Sequence, residues 1–346
     1  MESPSVCAAL REKKFVMENI IGEGSYAKVY RAIYIVDETH TIDLACKVID
    51  TSNTPRVYLY KFLPRELDVL ARVNHPHIIH VTNIYQRFAK YFIFMRLSEN
   101  GDLLHYISRK GPLCEAQCRV WLRQLMCALE YLHALNIAHR DLKCENVLIS
   151  ANFNVKLTDF GFVRPMSDGG PNDDLSNTYC GSLLYAAPEI LKGVPYAPKS
   201  CDLWSMGVIL YAMLNKALPF NDTSVRVLYD KQIQRKWRFR SKVVTMLSKQ
   251  CLGLVTTLLE PNAQARPTAS AVLHGPWIGM EPRIAMYTQL EESLLKHTMK
   301  DLDKPRHFEE CDSETGIRNN TIKTLKEIDP KLMAPVNCSG PLAQRK

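Results

Sequence analysis

The chain carries Ala138-His139-Arg140-Asp141-Leu142-Lys143-Cys144-Glu145-Asn146-Val147-Leu148 and, a few residues on, Lys156-Leu157-Thr158-Asp159-Phe160-Gly161. Short apolar stretches flank Asp141, Lys143, Asn146 and Asp159. Asp159 and Asn146 offer oxygen ligands of the kind that hard Mg²⁺ takes while keeping part of its water shell. Asp141 is an acid able to orient a hydroxyl or accept its proton. Lys143, two residues on, can neutralise an anionic group in transit. The patterns H-R-D-L-x-x-x-N and D-F-G occur in this order, and chance is a poor explanation for both together.

Upstream, Ile21-Gly22-Glu23-Gly24-Ser25-Tyr26-Ala27-Lys28-Val29 lies between two predicted strands. Glycines there let backbone N–H groups approach phosphate oxygens without an intervening side chain. Alone this is a weak signal, because hairpin turns also use glycine and Ala27 stands at the third glycine of G-x-G-x-x-G. Further on, Ala45-Cys46-Lys47-Val48-Ile49 sets one lysine in an apolar strand. A buried ammonium needs a partner, and Glu66 on the following helix is the candidate. The pair is compatible with two readings: Lys47 held against phosphates by Glu66, or a lysine on an exposed strand face and a solvated helix charge.

The N-terminal part reads as an antiparallel meander, Val16 to Ile21, Lys28 to Ile35 and Leu44 to Ile49. A helix follows, with Leu67, Val69, Leu70 and Val73 at helical spacing beside Glu66, and with Pro64 either opening or kinking it. Strands at Ile79 to Gln86 and Tyr91 to Leu97 bring the sheet to about five. After Asn100-Gly101 the pattern turns helical: Leu103 to Ser108, a long amphipathic helix from Glu115 to Leu135, and a buried one from Asp202 to Leu214. Residues 1–14, ending in Arg11-Glu12-Lys13-Lys14, read as a flexible leader. Residues 279–346 turn polar and proline-bearing and read as a poorly ordered tail, with one short amphipathic helix around Tyr287 to His297.

The 346 residues are 46% hydrophobic and 23% charged, a balance that excludes wholesale disorder, collagen and coiled coil. No apolar run reaches the roughly 18 residues that span a bilayer, and the N-terminus lacks a secretory pattern, so an intracellular, non-membrane protein is expected. The 11 cysteines form no CxxC pair, which argues for reduced packing residues rather than disulfides or zinc. The net charge of +8 is spread along the chain apart from a cluster at Arg235 to Arg240, favouring a solvated basic face over nucleic-acid binding. His75, His77 and His80 lie in a turn and read as structural rather than metal-binding.

From about Phe15 to Ile278, three quarters of the chain, the sequence resembles a eukaryotic protein kinase domain. Ala187-Pro188-Glu189, Asp202-Leu203-Trp204-Ser205-Met206-Gly207 and Ala265-Arg266-Pro267 agree with it. Lys143 and Gly181-Ser182 resemble serine/threonine rather than tyrosine kinases. The glycine loop with its Ala27, Lys61-Phe62-Leu63-Pro64-Arg65-Glu66, Lys143-Cys144-Glu145-Asn146 and Tyr185-Ala186-Ala187-Pro188-Glu189 are similar to the testis-specific serine/threonine kinases of the calcium/calmodulin-dependent group.

The resemblance implies an α+β bilobal fold: an N-lobe at 15–95, a hinge at 96–101 and a mainly helical C-lobe at 102–278. It implies ATP and Mg²⁺ as cofactors, protein substrates bearing serine or threonine, and no nucleic-acid or membrane partner. The catalytic set is Asp141, Lys143, Lys47 and Glu66, with Asn146 and Asp159 on the metal. The nucleotide set is Ile21, Gly22, Glu23, Gly24, Ser25, Tyr26, Ala27, Lys28, Val29, Lys47, Met95, Leu97 and Asp102. Glu189 is implied to pair with Arg266. Thr178 is implied as the activating phosphosite, filled by an upstream kinase or by autophosphorylation, with Arg140 as the partner of its phosphate. Asp102, Glu145 and Ser182 are the substrate-binding residues, the first two favouring arginine N-terminal to the target. The relation further implies a role in male germ-cell development, in the cytoplasm or the nucleus. Arg96 in the hinge and Leu183 before the A-P-E motif depart from the family pattern. The alternative is a kinase-fold scaffold without catalysis, against which the intact Lys47, Glu66, Asp141, Asn146 and Asp159 argue.

Overall fold

The six residues Leu44-Ala45-Cys46-Lys47-Val48-Ile49 organise the first lobe, because successive side chains of a strand point to opposite faces and here both faces are covered. A computed structural model of the chain describes residues 3–24, 27–166, 181–298 and 318–320. It contains the strands β1 (Phe15–Glu23), β2 (Ala27–Ile35), β3 (Thr41–Asp50), β4 (Val81–Arg87) and β5 (Lys90–Arg96), with the helix α2 (Leu63–Arg72) between β3 and β4. The strands form one antiparallel sheet in the order β1-β2-β3-β5-β4. Leu44, Cys46 and Val48 point to one face, clustered with Tyr30, Ala32, Tyr85, Phe92 and Phe94. Ala45 and Ile49 point to the other, into the main core with Leu63, Val69 and Leu70 of α2. Lys47 shares that second face, which rules out an exposed strand face for it.

What covers the first face corrects the reading of residues 1–14 as a leader. Pro4–Glu12 is a helix, α1, in which Val6, Ala9 and Leu10 are buried and join the cluster that contains Phe15. Their i, i+3, i+4 spacing puts them on one helix face, and Pro4 suits the first helical position, where its missing N–H has no partner to lose. Phe15 meets Phe94 at a ring-centroid distance of 4.1 Å. The charged run Arg11 to Lys14 is the exit of this helix, where Lys14 adopts a left-handed backbone (φ 68°).

The second lobe is built on α4 (Glu115–Ala134) and α6 (Pro198–Asn215), flanked by α3 (Leu103–Lys110) and α5 (Pro188–Lys192) and, later in the chain, by α7 (Val225–Ile233), α8 (Ser241–Val244), α9 (Lys249–Leu258), α10 (Ala269–Leu273) and α11 (Pro276–Gly279). Short strands β6 (Ile137–Ala138), β7 (Val147–Ile149), β8 (Val155–Leu157) and β9 (Arg164–Pro165) pair as β6 with β9 and β7 with β8. They hold the loop containing Asp141 and the approach to Asp159 on a fixed frame. At Gly207 of α6 a Cβ would lie 2.8 Å from Leu258 Cβ, so glycine lets α6 and α9 approach closely. Among the described residues no helix is long and apolar enough to cross a membrane.

The reading of residues 279–346 as a poorly ordered tail also needs correction at its start. Pro282–Ala285 (α12) and Gln289–Thr298 (α13) are helical, the latter close to the short helix expected there. They stay put because polar does not mean unpaired: Glu291 receives two hydrogen bonds from Arg123 of α4. Arg318–Asn320 (β10) adds a sixth strand beside β4, beyond the five expected. Residues 299–317 and 321–346 lie outside the described residues.

The connection from α2 to β4 holds His75, His77 and His80. His75 Nδ1 accepts from His77 N (3.1 Å), its ring stacks on Tyr131, and His77 Nδ1 lies 3.3 Å from Val155 O. Burial lowers all three pKa values below the ordinary 6.5, that of His80 to about 4 with Lys156 and Arg96 adding to the effect. Between pH 6.5 and about 4 the unfolded chain therefore binds protons that the folded one refuses, and stability falls as pH is lowered through that window. Thermal melts should lose several degrees between pH 7 and pH 5, with a shallower loss in His80→Gln. A pH-independent melting temperature over this range would contradict that assignment.

Candidate active site

Two clusters carry the expected side chains, close enough for the Lys143 charge to act on Asp159. In the first, Lys47 Nζ donates to Glu66 Oε1 at 2.7 Å and to Asp159 Oδ1 at 3.1 Å. Burial alone would lower the Lys47 pKa, but Asp159 and Glu66 outweigh it and hold it well above its usual value. Asp159 is lowered in turn, chiefly by the Lys47 charge and against its own burial. The site thus fixes one cation between two carboxylates. Glu66 is buried, and Tyr58 Oη donates to its Oε2 at 2.7 Å. Asp159 itself has φ 63°, a left-handed backbone that a non-glycine residue keeps only when its surroundings impose it.

In the second cluster, donors surround Asp141. Ser182 N reaches its Oδ1 at 3.0 Å, while Lys143 Nζ (2.9 Å) and Asn146 Nδ2 (3.0 Å) reach its Oδ2. Lys143 Nζ also donates to Ser182 Oγ at 3.2 Å. Asn146 commits its Nδ2 to Asp141, to the backbone oxygen as well as the carboxylate, so its side-chain carbonyl is the atom left to act as a ligand. The loop is held from below by buried Asp202, whose oxygens accept from His139 N (3.0 Å) and Arg140 N (2.9 Å). Arg140 has φ 65°, and its Nε donates to Phe162 O at 2.8 Å, tying the loop to the segment after Gly161. Glu189 and Arg266 form a two-pronged pair at 2.6 and 2.7 Å that anchors the end of that segment.

The remaining expected residues are more dispersed. Ile21, Gly22, Glu23 and Gly24 and, on the next strand, Ala27, Lys28 and Val29 form the two arms of the β1–β2 hairpin. There Gly24 N donates to Ala27 O (2.8 Å) and Lys28 pairs with Glu23. Ser25, Tyr26 and Thr178 lie outside the described residues. Met95 is buried at the end of β5 opposite Ala45, and Arg96 N donates to His80 O (2.9 Å) as the chain passes to Leu97. Asp102 caps α3, accepting from His105 N at 2.8 Å. Glu145 is exposed, and Tyr185 Oη donates to it at 3.4 Å. Cys144 is buried, and burial raises its thiol to about 12, so it is a packing residue. Tyr58 was not foreseen: its hydroxyl contact with Glu66 depends on helix geometry that no motif encodes.

The protein kinase domain family matches residues 15–278. The chain belongs to the protein kinase family. This kinase is 41% identical to mouse testis-specific serine/threonine-protein kinase 2 over 78% of its own length and 75% of that relative. It is 40% identical to mouse testis-specific serine/threonine-protein kinase 3, over 75% of its length and 93% of the relative. A mouse hormonally up-regulated neu tumor-associated kinase is 38% identical over 75% of this chain but only 35% of the relative. The kinase is accordingly an ATP-dependent serine/threonine protein kinase with an α+β, two-lobed fold.

Proposed function

We propose that this kinase transfers the γ-phosphate of ATP to serine or threonine of proteins through the two clusters just described, in the cytoplasm of developing male germ cells. The observation that carries the reading is the chain Glu66–Lys47–Asp159, set beside an Asp141 whose carboxylate oxygens are held by donors of three residues. Lys47, fixed by Glu66, binds the phosphates. Asp159 and the free carbonyl of Asn146 fit a hard divalent cation, one ionised oxygen and one neutral, and would hold Mg²⁺. That ion, when bound, neutralises charge on the phosphate oxygens. Asp141 orients the target hydroxyl and accepts its proton, and Lys143 offsets charge on the group in transit. The glycine hairpin covers the phosphates with backbone N–H groups, and Met95 and Leu97 flank the adenine.

Exposed Glu145 and half-buried Asp102 supply carboxylates that favour arginine N-terminal to the target residue. Phosphate on Thr178, delivered by an upstream kinase or by a second copy, pairs with Arg140. The germ-cell setting is supported by the testis-specific relatives. The test is transfer from Mg-ATP to a serine peptide with arginine N-terminal to the target. Thr178→Ala should lower the rate about tenfold or more, and changing the peptide arginine to alanine should raise KM about tenfold. Equal rates for the wild type and Thr178→Ala would remove Thr178 as a switch, and an unchanged KM would remove the arginine preference.

A further inference from the structure

We infer that Tyr58 is a positioning residue for phosphate transfer: its hydroxyl holds Glu66 in the orientation that presents Lys47 to the nucleotide. The inference rests on the proposed function of the Lys47–Glu66–Asp159 cluster. The Glu66 side chain is 1% exposed and has two acceptor oxygens to satisfy. Oε1 takes Lys47 Nζ at 2.7 Å and Oε2 takes Tyr58 Oη at 2.7 Å. Tyr58 is therefore the counterpart of Lys47 on the other side of the same carboxylate.

The backbone explains how Tyr58 gets there. Residues one α-helical repeat apart share a face at separations of seven, two turns of 3.6, whereas Tyr58 and Glu66 are eight apart. Tyr58–Phe62 is a single turn of π-helix running directly into α2, closed by the bond from Leu63 N to Tyr58 O. A π turn carries one extra residue, which lengthens the two-turn repeat to eight and swings Tyr58 onto the face of Glu66. Such insertions are common at functional sites.

The same turn reaches the segment behind Asp159. A Cβ on Gly161 would lie 3.5 Å from Glu66 Oε2 and 3.8 Å from Tyr58 Oη, so the hydroxyl sits where that segment turns. Phe62, at the end of the π turn, packs edge-on against Phe162 with ring centroids 5.5 Å apart. Any outward swing of α2 breaks the Tyr58–Glu66 bond and the Phe62–Phe162 contact along with the Lys47 pair. Burial and the neighbouring Glu66 charge both raise the Tyr58 pKa, so the group is a hydrogen-bond donor throughout the working range.

The experiment is a double-mutant cycle, Tyr58→Phe and Glu66→Gln singly and together. It is read by peptide phosphorylation and by the affinity of a non-hydrolysable Mg-ATP analogue. Phenylalanine keeps the ring and its packing and removes only the donor. A hydrogen bond to a buried charge is strong enough for Tyr58→Phe to lower kcat/KM about tenfold in the Glu66 background. In the Glu66→Gln background the same change should cost less than about twofold, because the charge to be oriented is gone. Equal losses in both backgrounds would mean that the Tyr58 hydroxyl acts independently of the Glu66 charge and would overturn the inference, as would full activity of Tyr58→Phe. If the wild type transfers no phosphate at all, the proposed function fails separately and the analogue affinity decides Tyr58. A weakening confined to the Glu66 background then supports its role, and unchanged affinity overturns it.

Discussion

Asp159→Asn should leave the kinase folded and lower phosphate transfer by at least about 10³-fold, some 4 kcal/mol of transition-state stabilisation. Asparagine matches aspartate in size, so Phe160 and the Asp159 backbone at φ 63° have no steric reason to move. What disappears is the charge. Lys47 Nζ keeps its 2.7 Å contact with Glu66 but loses its ionised partner at 3.1 Å, and a divalent cation shared with Asn146 loses its anionic ligand. The Asp159 pKa lies below its ordinary 3.8 because of Lys47, so the carboxylate is charged wherever the enzyme works and substitution changes that charge at every working pH. The check is the initial rate with saturating Mg-ATP, alongside the melting temperature. A rate within tenfold of wild type in a folded protein would show that Asp159 does not hold the cation.

The chemistry was more legible in the sequence than its supports were. His139 to Asn146 and Asp159 to Gly161 are close in sequence, and so are the contacts that make Asp141 a site: Lys143 and Asn146 reach it from two and five residues away. A motif can encode such a cluster. The Lys47–Glu66 pair was ambiguous because it depends on which face of β3 carries Lys47, and that followed only once α1 and the aromatic residues of β4 and β5 were seen to cover the opposite face. The helix α1 was missed although Ser3-Pro4 and the spacing of Val6, Ala9 and Leu10 are helix signals, because nine residues with a charged exit look like a leader until the surface they cover is known. Tyr58 could not be read at all, since α-helical periodicity places it off the Glu66 face and only the π turn restores it. The packing of α13 likewise rests on a contact between residues 123 and 291, and a polar composition conceals it.

That contact carries the second large effect. Arg123→Met should destabilise the kinase by about 3–5 kcal/mol, a fall of roughly 6–20 °C in melting temperature at 2–4 °C per kcal/mol. Arg123 grips Glu291 two-pronged, at 2.5 and 2.7 Å, and donates to Met286 O at 2.8 Å, tying α4 to both ends of the segment that enters α13. Glu291 is 2% exposed and also accepts from Thr288 N at 2.7 Å, with His77 Nε2 at 3.7 Å. Burial opposes its ionisation, but the nearby His77 and the hydrogen-bonded Arg123 prevail and hold it well below the ordinary 4.5. This contribution is therefore present above pH 4.5 and lost as pH falls toward the folded-state value. Without Arg123 the burial of Glu291 is no longer offset by a guanidinium, and Glu291 must take up a proton or leave the interface with α4. Replacing both residues by methionine should recover most of the loss, because it removes the stranded charge rather than the pairing alone. Added salt should change little, since the pair is out of reach of screening ions. The same helix α4 also holds the α2–β4 connection through Tyr131, which accepts from Asn74 N at 3.1 Å and stacks on His75. An Arg123→Met protein melting within a degree or two of wild type would mean that α13 does not hold to α4 in solution. A large loss recovered in the double variant would make residues 286–298 a structural part of the catalytic unit.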